Sequence, residues 1–296
     1  MTRIALDWRE SIGAAYPRAL ITVDAGAAVA LHDVTTGAVY PVQRAPRMAF
    51  DPEGEDEVAL VVADVEPATH LKLEPSDGEA DAGEPIRVEP DETAGGRLIA
   101  NGELAVRLPA DGWVEQPFPG PILGMRRAGG EWFGRMTLVD APWRGYAATT
   151  IESVGPAFVQ WKTEYRWGSD GGHRFRVRWA ADSDTLRIEE QAFEDSDAAI
   201  EWLPFGDVPG EAWSRGGGEH TRPMERLTYA SLPEAKRGRG RRIVNCLSHI
   251  GYFNQWNLGW AGFTAASGDS PDHTFVGAFT GWGGRWRRRG RVRIEA

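Results

Sequence analysis

The sequence predicts an all-β protein, and three observations favour strands over helices. Apolar and polar residues alternate through the most hydrophobic segments, for example residues 173–179. Short runs rich in Gly, Asp and Ser separate these segments, and the chain of 296 residues holds 36 glycines and 19 prolines. No segment places apolar residues at helical spacing over four turns. We therefore expect antiparallel sheets along the whole chain.

Residues 1–75 are expected to form a small β-sandwich or barrel. Its short strands are predicted at residues 19–23, 28–33, 39–42, 57–62 and 70–73. Residues 33–37 supply a polar turn that ends in Gly between two of these strands. The stretch 76–95 that follows is acidic and rich in Pro and Gly, so we interpret it as a linker. A long surface loop within one domain is the alternative.

Residues 96–296 are expected to form a second, larger β-domain. Residues 158–167 and 173–179 alternate strongly and are joined by a Gly-rich loop, which predicts a long hairpin. A third strand at residues 185–193 extends the hairpin into a meander. The other strands are predicted at residues 104–108, 242–247, 275–279 and 291–294.

Charge is distributed unevenly along this chain, whose formal net charge is −10. Residues 1–100 contain 19 Asp and Glu against 8 Lys and Arg. This balance disfavours nucleic acid as a partner, because phosphate binding needs clustered cations. Two basic runs, 236–242 and 285–293, are interpreted as a solvated loop and an exposed strand end. An acidic polysaccharide would suit the same arginines.

Composition excludes several other classes of protein. The single Cys246 excludes an intramolecular disulfide and a thiolate zinc site. No apolar run approaches the ~20 residues that span a bilayer, and no export signal is visible. We therefore expect a soluble protein with no membrane partner, in a compartment that the sequence leaves open. Motifs for phosphate binding, a catalytic Ser-His-Asp set or metal ligation are lacking, so no cofactor and no metal are expected.

The order of motifs over residues 15–296 resembles that of polysaccharide-degrading enzymes. Residues 39–43 (Val-Tyr-Pro-Val-Gln) and 71–75 (Leu-Lys-Leu-Glu-Pro) resemble a small β-domain that precedes a large sandwich in several such enzymes. The next part is similar to the galactose-mutarotase-like supersandwich of exo-acting rhamnogalacturonan lyase-like proteins, in residues 100–108, 120–126, 132–135 and 151–159. The resemblance implies a supersandwich at residues 96–296 and a carbohydrate ligand.

Tryptophan usage supports carbohydrate binding independently. Twelve of the 13 tryptophans follow residue 100. The indole ring offers a flat apolar face with a polar N–H at its edge, so it can stack on the C–H faces of sugar rings. Trp161, Trp167 and Trp179 lie in predicted strands, however, and we expect these three in the core.

The densest group of aromatic and amide side chains falls in residues 248–263. In an extended backbone, the even positions would place four of them on one face, namely Tyr252, Asn254, Trp256 and Trp260. That composition is typical of a sugar cleft. A glycine-rich turn whose aromatic rings fill the core is an equal alternative.

If this region is catalytic, we expect His249 and Tyr252 to act. Residues 249–254 are similar to the His-x-Tyr-Phe-Asn signature of aldose mutarotases, with one extra residue between His and Tyr. β-Elimination from a uronic acid needs a cation that neutralises the carboxylate, and Arg174 or Arg176 could supply it.

We expect no catalytic role for two further sets of titratable side chains. His173 follows the hairpin loop and is expected in solvent. The acids of residues 189–195 are expected on the solvated face of their strand, which disfavours a hydrolase that uses paired carboxylates.

The sequence therefore predicts the carbohydrate-binding β-sandwich region of a polysaccharide-processing, lyase-like protein. Its partner is an oligo- or polysaccharide, acidic in one version of the hypothesis. Because the chain stops in an alternating segment, residues 291–296, we expect a further catalytic domain downstream, with a natural stop as the alternative. Two rival hypotheses remain: the sandwich is itself a polysaccharide lyase or sugar epimerase, or it is a structural module without a ligand.

Overall fold

The computed structural model describes residues 5–11, 15–49, 51–78, 80, 86–102, 104–127, 129–130, 132–193 and 198–203, and beyond these the strands that begin at Gly210, Glu225, Arg242, Leu258, Thr274 and Val292. All of the described regular structure is β, and this part of the chain contains no helix. The strands pair in antiparallel sheets. The all-β prediction is therefore confirmed.

The strands fall into two groups along the chain. Those up to residue 192 are β1 (Leu6–Arg9), β2 (Tyr16–Val23), β3 (Ala30–Asp33), β4 (Val39–Pro41), β5 (Gln43–Pro46), β6 (Glu57–Val65), β7 (His70–Pro75), β8 (Arg87–Pro90), β9 (Arg97–Ala100), β10 (Leu104–Leu108), β11 (Gly112–Glu115), β12 (Phe118–Pro119), β13 (Gly124–Arg127), β14 (Arg135–Val139), β15 (Arg144–Val154), β16 (Phe158–Trp167), β17 (Gly171–Ala180) and β18 (Leu186–Ala192). Those that follow are β19 (Ala199–Leu203), β20 (Gly210–Gly216), β21 (Glu225–Leu227), β22 (Arg242–Val244), β23 (Leu258–Ala265), β24 (Thr274–Thr280) and β25 (Val292–Ile294).

The chain folds into two compact units. The first comprises Met1–Trp113, Arg126–Gly130 and Gly145–Ser196, and the second comprises Val114–Met125, Glu131–Arg144 and Asp197–Ala296. The predicted linker at residues 76–95 and the domains on either side of it stay predictions.

The early strands of the first unit form two sheets, with orders β1-β7-β3-β4 and β2-β6-β5. Apolar side chains from both sheets share one core cluster, in which Leu31, Val61 and Leu73 are completely buried. Burying a side chain of this size contributes roughly 1.5–3 kcal/mol. On β7 the buried Leu71 and Leu73 occupy alternate positions, so the period of two in the sequence creates the apolar face of this strand.

A five-stranded sheet with order β11-β15-β16-β17-β18 dominates the rest of the first unit. Its central hairpin pairs Phe158 with Ala180 and Trp167 with Gly171, so the hairpin predicted from alternation is confirmed. Gly168 begins the turn with φ of +61°, a conformation that favours glycine. The predicted third strand is β18.

One face of this sheet belongs to the core. Trp161 and Trp179 are completely buried and Trp167 is 8% exposed, which confirms the core prediction for all three. His173 lies on the same face and is 2% exposed, so the expectation of a solvated histidine is wrong. Its Nε2 lies 2.7 Å from Oε1 of Glu190, and its ring stacks on Phe175 at 4.8 Å. Strand alternation, not closeness to the loop, decides where this side chain lies.

The other sheets are smaller. β13-β10-β9-β8 and β12-β14-β19 follow the early strands in sequence, and β21-β20-β23-β24 and β22-β25 contain the late ones. Three predicted strands agree with strands of the described part of the chain to within one residue at each end. They are residues 104–108 (β10), 275–279 (β24) and 291–294 (β25). The segment predicted at 242–247 contains β22, and its last three residues lie outside the described residues.

Candidate functional site

The predicted cleft falls largely outside the described residues. Four of its predicted residues lie outside the described part of the chain, namely His249, Tyr252, Asn254 and Trp256. Trp260 lies in β23, where its backbone pairs with Arg215 and Ala278. The cleft therefore stays a prediction.

Arg174 and Arg176, the predicted carboxylate-binding residues, both lie on β17 of the five-stranded sheet. Directly opposite residues of neighbouring strands point to the same face of a sheet. The register of β17 with β16 and β18 therefore identifies the neighbours of the two arginines. Arg174 pairs with Glu164 and Gln191, and Arg176 pairs with Lys162 and Glu189. These side chains form the face opposite the core, which we call the polar face.

One end of the polar face is organised around Arg178, whose side chain is completely buried. Its guanidinium binds both carboxylate oxygens of Asp51, with Nη1 and Nη2 at 2.7 and 2.9 Å. Nε donates to Oε1 of Gln160 at 2.7 Å, and Nη2 also donates to the Pro46 carbonyl. Asp51 and Arg178 are 127 positions apart in the sequence, so this ion pair joins two distant segments of the chain.

The same segment, described at residues 46–49 and 51, makes further bonds to this end of the face. Arg176 binds both oxygens of Glu152, at 2.7 and 3.0 Å, and its Nη1 donates to the Arg47 carbonyl. The Ala49 amide donates to Oε2 of Glu189 at 2.9 Å. We call this region, where each of the two arginines has a carboxylate of its own, the closed end.

Near the hairpin turn, by contrast, three cations share one carboxylate. Oxygens of Glu164 lie 2.7 Å from Nζ of Lys162, 2.8 Å from Nη2 of Arg166 and 3.5 Å from Nη2 of Arg174. Arg174 also donates to Oε1 of Gln191. Burial alone would raise the pKa of Glu164, but the hydrogen bonds from Lys162 and Arg166 and the surrounding positive charge outweigh it and lower the pKa to about 2. Glu164 is therefore ionised at neutral pH.

Phe193 packs against two of these cations. Its ring centroid lies 4.5 Å from the guanidinium carbon of Arg166 and 5.1 Å from that of Arg174. Cations at this distance over an aromatic face are attracted by the ring quadrupole. Gly172 provides the room, because a Cβ there would lie 2.8 Å from Cδ2 of Phe193. The ring thus limits the freedom of both guanidinium groups.

An exposed aromatic pair adjoins this cluster. Tyr146 of β15 lies directly opposite Arg166, and its ring meets that of Trp113 edge to face at 5.7 Å. Trp113 is 66% exposed and Tyr146 is 41% exposed. We call this region, with Glu164 and its three cations, Phe193 and the aromatic pair, the open end. Sequence reasoning missed the aromatic pair, and the only signal was a Trp directly after an Asp-Gly turn at residues 111–112.

Comparison of the chain with family models, with curated proteins and with solved structures finds no match. Among the described residues, no helix has the length and apolarity needed to cross a membrane. That same part of the chain holds no group of three or more His, Cys, Asp or Glu side chains arranged to bind a metal ion. The functional groups of the open end are two exposed aromatic rings, guanidinium and ammonium donors, and one ionised carboxylate.

Proposed function

We propose that this protein binds carbohydrate at the open end of the polar face. The observation that carries the proposal is the exposed Trp113–Tyr146 pair beside a fixed cluster of charged donors. Sugar rings combine apolar C–H faces with a rim of hydroxyl groups. Aromatic rings suit the faces, and charged or polar side chains suit the hydroxyls.

The order of motifs in the sequence supports a wider setting for this activity. We propose a polysaccharide-processing, lyase-like protein whose residues 96–296 form a galactose-mutarotase-like supersandwich. In this proposal Tyr252, Asn254, Trp256 and Trp260 provide a second set of sugar contacts. Arg174 belongs to the open end, whereas Arg176 is engaged by Glu152 and is left out of the proposed site.

Isothermal titration calorimetry of the full chain with a panel of neutral and acidic oligosaccharides tests the proposal. We expect heat of binding from at least one of them, and a threefold to tenfold loss of affinity in Trp113→Ala, because an aromatic contact contributes about 0.5–1.5 kcal/mol. Trp8→Ala is the matched control, since Trp8 is 37% exposed but lies on β1 of another sheet. Absence of heat across the panel, or equal losses in the two variants, would contradict the proposal.

The same mixtures distinguish binding from turnover. A lyase forms an unsaturated product that absorbs in the ultraviolet, so absorbance is followed during each incubation. An increase in absorbance with a uronic substrate would show that the protein is a catalyst. We then expect no such increase with His249→Ala or Tyr252→Phe. Binding without new absorbance is the result expected for a recognition module.

A further inference from the structure

We infer that the sugar unit packed against Trp113 and Tyr146 carries an acidic group, and that Arg166 and Arg174 bind it. This inference rests on the proposed function, because it specifies the ligand of the same site. The sequence already suggests Arg174 or Arg176 as the cation for a uronic carboxylate, and the basic runs at residues 236–242 and 285–293 for an acidic polysaccharide. The structure adds Arg166 and the aromatic pair to Arg174, and it pairs Arg176 with Glu152.

The first argument is the charge balance of the two ends. At the closed end, Arg178 and Arg176 pair with Asp51 and Glu152. Arg187 and Glu189 of β18 add one charge of each sign to the same face, so the charges balance. At the open end, three cations share the single carboxylate of Glu164. The described side chains of the open end thus carry two more positive than negative charges, on a chain whose net charge is −10. An anionic ligand would balance this local excess.

The second argument is the availability of donors. The side chain of Arg166 is 54% exposed, and Glu164 accepts one hydrogen bond from its Nη2. Within the described part of the chain, Nε and Nη1 of Arg166 have no hydrogen-bond acceptor. An exposed guanidinium whose Nε and Nη1 have no acceptor in the described part of the chain matches the oxygens of a carboxylate or a sulfate.

The third argument is preorganisation. Phe193 contacts both guanidinium groups, and Glu164 forms ion pairs with both. Glu164 is a positioning residue here, because its oxygens orient the cations and are not expected to touch the ligand. Fixing two long side chains before binding reduces the entropy that binding would otherwise cost.

Calorimetry with the full chain tests the inference. The probes are an oligomer of a hexuronic acid, the same oligomer with its carboxylates reduced to alcohols, and a sulfated form of that reduced oligomer. We expect the uronic or the sulfated oligomer to bind at least tenfold more tightly than the neutral one. Arg166→Gln should reduce this preference by 10-fold or more, because a hydrogen bond to a charged group contributes about 1.5–3 kcal/mol.

Arg9→Gln is the matched control, because it removes one exposed positive charge from β1. It should leave the preference unchanged, and the unfolding midpoint of each variant establishes that it is folded. Tight binding of the uronic oligomer alone identifies a carboxylate ligand, and tight binding of the sulfated oligomer alone identifies a sulfate; both results support the inference.

The failures are distinguishable. If neutral and acidic oligomers bind equally and Arg166→Gln has no effect, carbohydrate binding stands and the acidic specificity is wrong. If Arg9→Gln and Arg166→Gln reduce the preference equally, general electrostatic attraction replaces the specific contact. If none of the three oligomers binds, the inference fails, and the wider oligosaccharide panel then decides the proposed function.

Discussion

The two ends of the polar face use the same residue type on one strand for different purposes. Arg174, Arg176 and Arg178 alternate along β17 and all point to that face. Residues 46–49 and 51 cover the Arg178 end, where Arg178 and Arg176 each pair with a carboxylate. The Arg174 end has shared charge and exposed aromatic rings. The segment that covers a strand therefore decides whether its arginines stabilise the fold or are available to a ligand.

Removing Asp51 is expected to have the largest effect on stability. In Asp51→Ala the buried guanidinium of Arg178 loses both carboxylate contacts, and leaving such a charge unpaired costs about 3–5 kcal/mol. Urea denaturation followed by circular dichroism measures the loss in the free energy of unfolding. The control is the double variant Arg178→Met with Asp51→Leu, which should lose less than the single variant because no unpaired charge remains. A loss below about 1 kcal/mol in Asp51→Ala would contradict a structural role for the closed end.

A smaller effect is expected from crowding the open end. In Gly172→Ala the added Cβ would lie 2.4 Å from the Tyr165 carbonyl oxygen and 2.8 Å from the Phe193 ring, and overpacking of this kind costs about 1–3 kcal/mol. The hairpin backbone and the ring must both shift, so the two guanidinium groups above the ring lose their common support. The same denaturation assay measures the stability, and calorimetry with the hexuronic oligomer measures the affinity. Unchanged stability and affinity would show that the Phe193 contact is not needed.

The Glu164 cluster should contribute modestly and in a pH-dependent way. Glu164→Gln is expected to cost about 1 kcal/mol at neutral pH, since the three cations that stabilise the ionised carboxylate are themselves partly exposed to solvent. The pKa of Glu164 is about 2 in the folded protein against an ordinary value of 4.5, so its contribution is present above pH 4.5 and is lost as the pH falls through 2. Denaturation of both proteins across this range measures it. A difference between them that does not change with pH would contradict the assignment.

The smallest effect on stability is expected at Trp113. Because its side chain is 66% exposed, Trp113→Ala should lower the free energy of unfolding by about 0.5 kcal/mol, the low end for an aromatic pair, through the lost edge-to-face contact with Tyr146. Its affinity for oligosaccharide should nevertheless fall as described above. A loss of several kcal/mol in thermal or urea denaturation would mean that Trp113 is part of the core and not a contact for a ligand.

Sequence reasoning succeeds where structure is local. The β16–β17 hairpin follows from alternation and a Gly-rich loop, and the burial of Trp161 and Trp179 follows from strand parity. The pairing of Asp51 with Arg178 joins residues 127 positions apart, and no local pattern predicts it.

The candidate site was less predictable than the hairpin. The charge of Arg174 marks it as a candidate in the sequence, but the aromatic neighbours at the open end come from separate strands and turns. Trp113 and Tyr146 meet only because β11 and β15 are adjacent in the sheet. The position of His173 after a loop predicts exposure to solvent, but the parity of its strand places it in the core.

Hydroxyl-radical footprinting of the full chain tests most directly whether the open end binds saccharide and the closed end does not. The protein is oxidised with and without a saturating amount of the tightest oligosaccharide from the panel, and oxidation at each aromatic residue and methionine is measured by mass spectrometry. We expect the ligand to protect Trp113 and Tyr146 and to leave Trp8 and Met48, a buried residue of the segment over the closed end, unchanged. Unchanged oxidation of Trp113 and Tyr146 in the presence of bound saccharide would contradict the account.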